Sequence, residues 1–338
     1  MSNPYQQPGQ NHGHPQGAPP PQQPTMAAAG AQPPAGYGAP PQNGPGYGYP
    51  ASPPGLPPQP GPGDSPVDPA QLSGYTSPIP IAPTGLGHAL ASEWTKIRSV
   101  RSTMWSLGTM IVLVVGIGLL MTPVLDDVSS YQNEPALGLG FTGTLLGMFC
   151  VITLGVLVIS SEYGTGMIRT TFTACPSRAR VLTAKALVFF GVVFVIATCC
   201  SAFVALIHSS VADGKPGLVE ADGATWLRAT AGAGLYVALV GLLALAVGAM
   251  LRHSAGAITT MMGLVLLPLL IAIFLASESL RDIRKYMIDY SLPSGLSAMF
   301  EVQFQESSPD GWTPLWILLA VTVAALAGAY ALVTTRDV

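Results

Sequence analysis

Charged side chains are scarce in this 338-residue sequence. They make up 9% of it, whereas an ordinary soluble domain carries about 25%. Hydrophobic residues reach 49%, and the mean hydropathy is +0.46. So few charges cannot cover the surface of a soluble enzyme, and a formal net charge of −3 argues against a nucleic-acid binder. The composition therefore predicts a membrane protein.

Motifs for chemistry are missing as well. The sequence contains no GxxxxGK[ST] phosphate-binding loop and no HExxH zinc motif, and its four cysteines follow neither zinc nor disulfide spacing. Within the apolar runs, His208 and His253 are the only candidates for an internal proton relay, and both fall at predicted helix ends, which disfavours an ion-coupled carrier. We expect no catalytic residue, no metal and no cofactor in this chain, so any driving force must come from another subunit.

Basic residues are absent from residues 1–85, which hold 24 of the 32 prolines and 14 of the 38 glycines. Such a segment has too little apolar surface to offset the entropy of ordering. We predict a disordered cytoplasmic tail with polyproline II character. Composition leaves two roles open: a docking tail for a proline-recognising partner, or a dispensable solvated extension, which is the commoner case.

Six long runs without Asp, Glu, Lys or Arg follow the tail, and each exceeds the roughly 20 residues that a helix needs to cross a bilayer. Backbone groups in lipid need internal partners, so these runs must be helical. The sequence predicts an all-α polytopic membrane domain over 86–338. Its spans are expected at about 103–124, 138–160, 186–208, 229–251, 255–276 and 313–334. A tight turn at Leu251–Ser254 should join the fourth and fifth.

The distribution of basic residues predicts the orientation. Nine of the 14 Lys and Arg residues fall on the side of the two chain ends, and the opposite side carries 12 of the 17 acidic residues. Cytoplasmic connections are enriched in Lys and Arg. Both termini should therefore be cytoplasmic.

An amphipathic segment precedes the first span, over about 86–101, and is predicted to lie along the cytoplasmic leaflet. Glu93 falls within its apolar stripe, beside Trp94, which is unusual for pure lipid contact. Glu93 could pair with Lys96 at i+3 or accept a bond from another protein segment. The basic residues here also agree with a plain positive-inside flank.

The connection between the second and third spans is the most informative stretch. Gly164 and Gly166 suit the end of a helix, Pro176 breaks the short segment that follows, and Arg178 and Arg180 lead into the third span. This pattern is typical of a cytoplasmic elbow that could dock on a cytosolic partner. A helix cap with positive-inside arginines explains the same residues and is the more frequent case.

Several of these residues together resemble a known family. The pair Glu93 and Lys96, the E-Y-G-T-G end of the second span (Glu162–Gly166), P-S-R at 176–178 and Lys185 look like the permease subunit of ABC-2-type transporters. The resemblance covers roughly 86–338. Its motifs are short and recur in other membrane proteins, and the family's common core lacks the proline-rich tail.

The resemblance implies a multi-pass exporter subunit in a bacterial plasma membrane. The elbow would be the coupling helix seated in a separate ATP-binding subunit, which binds the ATP, and a second permease copy or paralogue would complete a homodimer or heterodimer. Residues expected to contact the ATPase subunit are Glu162, Gly164, Thr165, Arg169, Pro176, Arg178 and Arg180. Residues assigned to the interfacial helix are Glu93, Trp94 and Lys96. The alternative is a membrane scaffold or sensor that recruits partners through its proline-rich tail.

Two further patterns concern packing. Gly143 and Gly147 in the second span have GxxxG spacing, which more often serves packing within one chain than a dimer contact. In the last outside loop, Leu280, Ile283, Met287 and Tyr290 share one face, which favours an amphipathic segment at the outer leaflet.

Overall fold

The protein's computed structural model describes residues 85–126, 136–175, 177–213, 215, 221–275, 277–302, 309 and 311–335. The predicted tail, apart from Gly85, lies outside these residues. The described part is helical, without a strand. In chain order its helices are α1 Leu86–Ser99, α2 Arg101–Leu120, α3 Gly140–Gly164, α4 Met167–Ala174, α5 Arg178–Ala212, α6 Gly223–Leu227, α7 Ala233–Leu251, α8 Ser254–Phe274, α9 Arg281–Asp289, α10 Leu292–Ser297 and α11 Thr313–Thr335.

Short turns of other helix types extend several of these helices. They are 3₁₀ turns at Thr122–Asp126, Ala136–Leu139, Glu278–Leu280 and Ala298–Phe300, and a π-helical turn at Arg228–Gly232. With them, six helical segments are long and apolar enough to cross a membrane: Arg101–Leu125, Ala136–Gly164, Arg178–Ala212, Gly223–Leu251, Ser254–Phe274 and Thr313–Thr335. The predicted fold class, a polytopic all-α membrane protein with six spans, is confirmed.

The third and fourth spans are longer than predicted. The third begins at Arg178 and not near residue 186, so Lys185 belongs to the helix itself. The fourth begins at Gly223, ahead of the charged Arg228. Charge-free length underestimates both helices, because Lys185 and Arg228 are charged but each is ion-paired: Lys185 with Glu93 and Glu162, and Arg228 with Glu301.

Helix α7 is the centre of the bundle. Its span is 72% buried, whereas the first, fifth and sixth spans are each 22% buried. Helices α3, α5 and α11 make its largest contacts, and α8 also packs against it. Nearly every side chain of α7 is small or apolar, which a helix surrounded by other helices requires.

Glycines set the closest approaches between spans. A Cβ on Gly143 would lie 2.7 Å from the carbonyl oxygen of Val114, and one on Gly147 would lie 2.6 Å from a methyl carbon of the same valine. The GxxxG pair therefore packs α3 against α2 within the chain, as the sequence suggested. Gly155 approaches the backbone of Gly241 on α7 in the same way.

Six crossings place α1 and the end of α11 on the same side of the bundle, here called the near side. The turn between α7 and α8 is on this side and is as tight as predicted: Arg252 has a left-handed backbone, with φ of 55°, and His253 caps α8 by accepting a hydrogen bond from the Gly256 amide. The far side carries α9 and α10, two short helices within the stretch for which the sequence predicts an amphipathic segment.

Candidate functional site

Four charged side chains meet on the near side, and we call them the ionic cluster. The Lys185 ammonium donates to Oε2 of Glu93 at 2.7 Å and to Oε1 of Glu162 at 2.8 Å. Lys96 donates to Oε1 of Glu93 at 2.7 Å and to Oε1 of Glu162 at 2.9 Å. Two ammonium groups thus alternate with two carboxylates, and the cluster has no net charge.

Three helices bring the cluster together. Glu93 and Lys96 are one turn apart on α1, Glu162 is in the last turn of α3, and Lys185 lies two turns into α5. Both bonds that the sequence allowed for Glu93 are present, one to Lys96 and one to another segment. The residue that interrupts the apolar stripe of α1 is therefore the one that attaches this helix to the bundle.

Burial makes the cluster energetically important. The side chains of Glu93, Glu162 and Lys185 are 6%, 8% and 2% exposed, while Lys96 is 28% exposed. A buried charge left without its partner costs several kcal/mol. Burial lowers the pKa of the Lys96 ammonium, but hydrogen bonds and charges from Glu93 and Glu162 outweigh it, so this pKa lies above its ordinary value of 10.5. Lys96 is therefore charged at neutral pH.

The elbow between α3 and α5 contains the short helix α4. Gly166 adopts a left-handed conformation, with φ of 73°, and turns the chain from α3 into α4. Ile168 anchors α4 to the protein at 4% exposure, while Met167 and Arg169 are exposed. Ser177 caps α5 by accepting a hydrogen bond from the Arg180 amide. The elbow is thus a defined helix with one buried anchor and an exposed face.

Cation–π contacts tie the elbow and its neighbours to the remaining spans. The Arg178 guanidinium lies 5.4 Å from the centre of the Phe172 ring on α4 and also donates to the carbonyl of Val333 on α11 at 3.2 Å. Arg252, between α7 and α8, lies 5.1 Å from the centre of the Tyr163 ring on α3. These contacts link the near-side ends of α3, α5, α7, α8 and α11 to the elbow or to the helix ends that flank it.

The residues predicted to contact a partner divide into two groups. Gly164, Thr165 and Arg169 are exposed at the elbow, and Arg180 is half-buried. Glu162 and Arg178, by contrast, are used within the chain: Glu162 in the ionic cluster, and Arg178 in its contacts with Phe172 and Val333. Pro176 lies outside the described residues.

The interfacial-helix residues also separate by face. Trp94 is 47% exposed, and Glu93 and Lys96 face the bundle. The sequence placed Lys185 and Tyr163 in the family resemblance and Arg252 in the predicted tight turn, but it assigned none of the three to the site. The sequence did carry a signal that Lys185 has a partner. It lies directly before a long apolar run, and a charge in that position needs an opposite charge nearby.

A groove runs between α1 and α4, beside the ionic cluster. It has a volume of about 380 Å³ and is lined by residues of both helices, among them His88, Ser92, Met167 and Thr171. Within the described residues, no group of three or more His, Cys, Asp or Glu side chains could hold a metal ion. The groove therefore opens between α1 and the elbow helix α4, directly beside Glu93 and Lys96 of the ionic cluster.

The fold and the site define a multi-pass helical membrane protein with an ion-paired elbow on the near side of the bundle. No protein-family model matches the chain, and no curated protein matches it either.

Proposed function

We propose that this chain is the membrane-spanning permease subunit of an ATP-driven ABC exporter in a bacterial plasma membrane. A separate ATP-binding subunit docks on the elbow helix α4, and a second permease copy or paralogue completes the transport path. The observation that carries the proposal is the ionic cluster, because it fixes the elbow's flanking helices α3 and α5 to each other and to α1.

The two helices on either side of α4 are joined by an ion pair, so a displacement of α4 is transmitted directly to the spans. Glu162 lies five residues before Met167, where α4 begins, and Lys185 lies eleven residues after Ala174, where α4 ends. Their ion pair closes this loop at 2.8 Å. A closed, buried ion pair resists separation of the two helices. Movement of α4 would therefore carry α3 and α5 together, and α1 with them.

The exposed side of the elbow suits a protein partner. Met167 is 52% exposed next to Arg169 and Thr170, and Trp94 on α1 is 47% exposed. Methionine, tryptophan and arginine are enriched at protein interfaces. The groove between α1 and α4 provides the concave surface that a helix or loop of the ATP-binding subunit would enter.

The first experiment is purification of the tagged full-length chain in mild detergent, with identification of co-purifying proteins and assay of ATP hydrolysis. A stoichiometric P-loop ATPase is expected. Arg169→Glu should reduce its recovery, whereas Arg284→Glu, a matched charge reversal on the far side, should leave recovery unchanged.

A second variant separates docking from coupling. Glu162→Gln keeps the side-chain shape but removes the charge from the cluster, so the ATPase should still bind while hydrolysis no longer drives transport in reconstituted vesicles. A well-folded chain that purifies alone and without ATPase activity would overturn the proposal. The scaffold alternative then predicts a partner that is lost when residues 1–85 are deleted.

A further inference from the structure

A second cavity lies on the far side, and the proposed coupling does not involve it. The cavity lies between α8 and α11, which both pack against α7. At the far end of the cavity, α10 contacts all three of these helices. Its volume is about 180 Å³. We call it the far-side cavity. Its lining includes Tyr236, Leu264, Ile317 and Val321 of the spans, and Asp289 and Ser291 at the far end.

The walls and the end of the far-side cavity differ in polarity. Side chains contributed by α8 and α11 are all apolar. The polar groups lie at the far end: the carboxyl group of Asp289, the hydroxyl group of Ser291, and the hydroxyl group of Tyr236, which donates to the carbonyl oxygen of Leu292 at 3.0 Å. An apolar space with one polar end matches the chemistry of an amphiphile.

The depth of the cavity matches one leaflet. Leu264 precedes the far end of α8 at Phe274 by ten residues, which is about 15 Å of helix. Val321 follows the far end of α11 at Thr313 by eight residues, or about 12 Å. Half of a hydrocarbon core is about 15 Å thick. The apolar part of the cavity therefore spans the far leaflet and stops near the bilayer centre.

The cavity is open to lipid. Leu264, Ile317 and Val321 line it and are 47%, 40% and 48% exposed, on helices whose spans are 22% buried. A cavity of about 150 Å³ lined by apolar side chains holds one benzene molecule, so this volume suits part of a single acyl chain. Bulk lipid is the molecule at highest concentration beside such an opening.

Helix α9 carries two cations next to the polar end of the far-side cavity. Arg281 and Lys285 precede Asp289 by eight and four residues on α9, so the three share one face of that helix. Both cations are exposed. Ile283 and Tyr290, also exposed, give α9 the amphipathic character of a helix at the lipid headgroups. Basic side chains at this level attract the phosphate of a lipid headgroup.

We infer that the far-side cavity is a binding site for a single phospholipid of the far leaflet. One acyl chain enters between α8 and α11, and the phosphate lies against the face of α9 that carries Arg281 and Lys285. The bound chain fills the gap that the two helices leave on α7, and so completes the packing of the last two spans.

Retention of lipid tests the inference. The full-length chain is reconstituted in vesicles of phosphatidylethanolamine and phosphatidylglycerol, extracted again, delipidated with excess detergent, and examined by native mass spectrometry. The wild-type chain should keep a single phospholipid. Leu264→Trp and Val321→Trp fill the cavity and should lose it. The matched controls Leu266→Trp and Val323→Trp change lipid-exposed positions of the same helices outside the cavity and should keep it.

A second arm does not depend on the folding of the tryptophan variants. Vesicles that also contain diacylglycerol, which has the chains but no phosphate, should yield a chain with phospholipid bound in preference to diacylglycerol. Lys285→Glu should remove this preference, and Asp282→Asn on the same helix should not. Three results would overturn the inference. The wild-type chain could retain diacylglycerol as well as phospholipid, both cavity-filling variants could retain phospholipid, or the mass of the bound molecule could be that of a compound other than a lipid.

Discussion

Lys185 on α5 donates a hydrogen bond of 2.7 Å to Glu93 on α1, across 92 positions of the sequence, and both side chains are buried. This contact attaches the interfacial helix to the transmembrane bundle. Each of the two residues also pairs with a second opposite charge, Glu93 with Lys96 and Lys185 with Glu162. The four side chains therefore form one continuous ion-pair network and not two separate pairs.

Removing the Lys185 ammonium should strongly destabilise the protein. Lys185→Met leaves two buried carboxylates with only the partly exposed Lys96 between them. Breaking a buried pair costs about 3–5 kcal/mol. Thermal unfolding in detergent should show this as a midpoint lowered by about 10 °C. Arg98→Met, an exposed cation of α1, is the control and should change the unfolding free energy by less than about 0.5 kcal/mol.

The coupling between Glu93 and Lys185 can be measured directly. In a double-mutant cycle with Glu93→Gln and Lys185→Met, the double variant should be more stable than the sum of the two single losses predicts, because each single change leaves the other buried charge with one partner fewer. We expect an interaction energy of about 1–3 kcal/mol. Additive losses would mean that the two side chains stabilise the fold independently, contrary to the geometry.

The cluster should persist at alkaline pH. The pKa of Lys96 is raised above 10.5 in the folded protein, so its contribution to stability is complete below that value and is lost as the pH rises through the folded-state pKa. The difference in unfolding midpoint between wild type and Lys96→Met should therefore be constant from neutral pH to about pH 10. Lys96→Arg, which stays charged, should preserve stability above that range.

The elbow depends on one glycine conformation. Gly166 has φ of 73°, which costs a residue with a side chain about 1–2 kcal/mol. Gly166→Ala should therefore weaken α4 and raise the rate of proteolysis at the elbow. Gly164→Ala is the matched control, because no atom lies within 4 Å of its added Cβ, and it should be neutral or slightly stabilising. Equal effects of the two changes would contradict the assigned turn.

Close packing in the centre of the bundle makes Gly155 sensitive. A Cβ at this position would lie 2.4 Å from the carbonyl oxygen of Gly241, so Gly155→Ala must push α3 away from α7. Overpacking costs about 1–3 kcal/mol. Gly191→Ala on α5 meets no atom within 4 Å and should leave the unfolding midpoint unchanged or raise it. Comparing the two midpoints tests the helix contact separately from helix propensity.

The spans could be predicted from the sequence because lipid imposes a simple rule. A run such as 229–251 has only apolar and small residues, and every backbone group in it needs an internal partner, so helix is the single solution. The tight turn before His253 followed from the short distance between two such runs. The starts of the third and fourth spans were missed because Lys185 and Arg228 are charged, and charge-free length was the criterion.

The candidate site was only partly predictable. Glu93 was noticed because it interrupts an apolar stripe, and Glu162 because it precedes Gly164. Their meeting with Lys185 could not be derived, because it depends on how α1, α3 and α5 pack, and periodicity carries no information on partners distant in sequence. The cation–π contact of Arg252 with Tyr163 escaped detection for the same reason.

The burial of α7 limits how the protein can move. A helix enclosed on most sides, with its backbone at Gly241 in contact range of Gly155, can neither slide nor rotate without breaking the packing of its neighbours. The bundle must then turn as a solid body, and its hinge must lie outside α7. In the proposed permease pair, a change of state would accordingly appear as a changed distance between the two copies of the chain, while distances among α3, α5 and α7 within one copy stay constant.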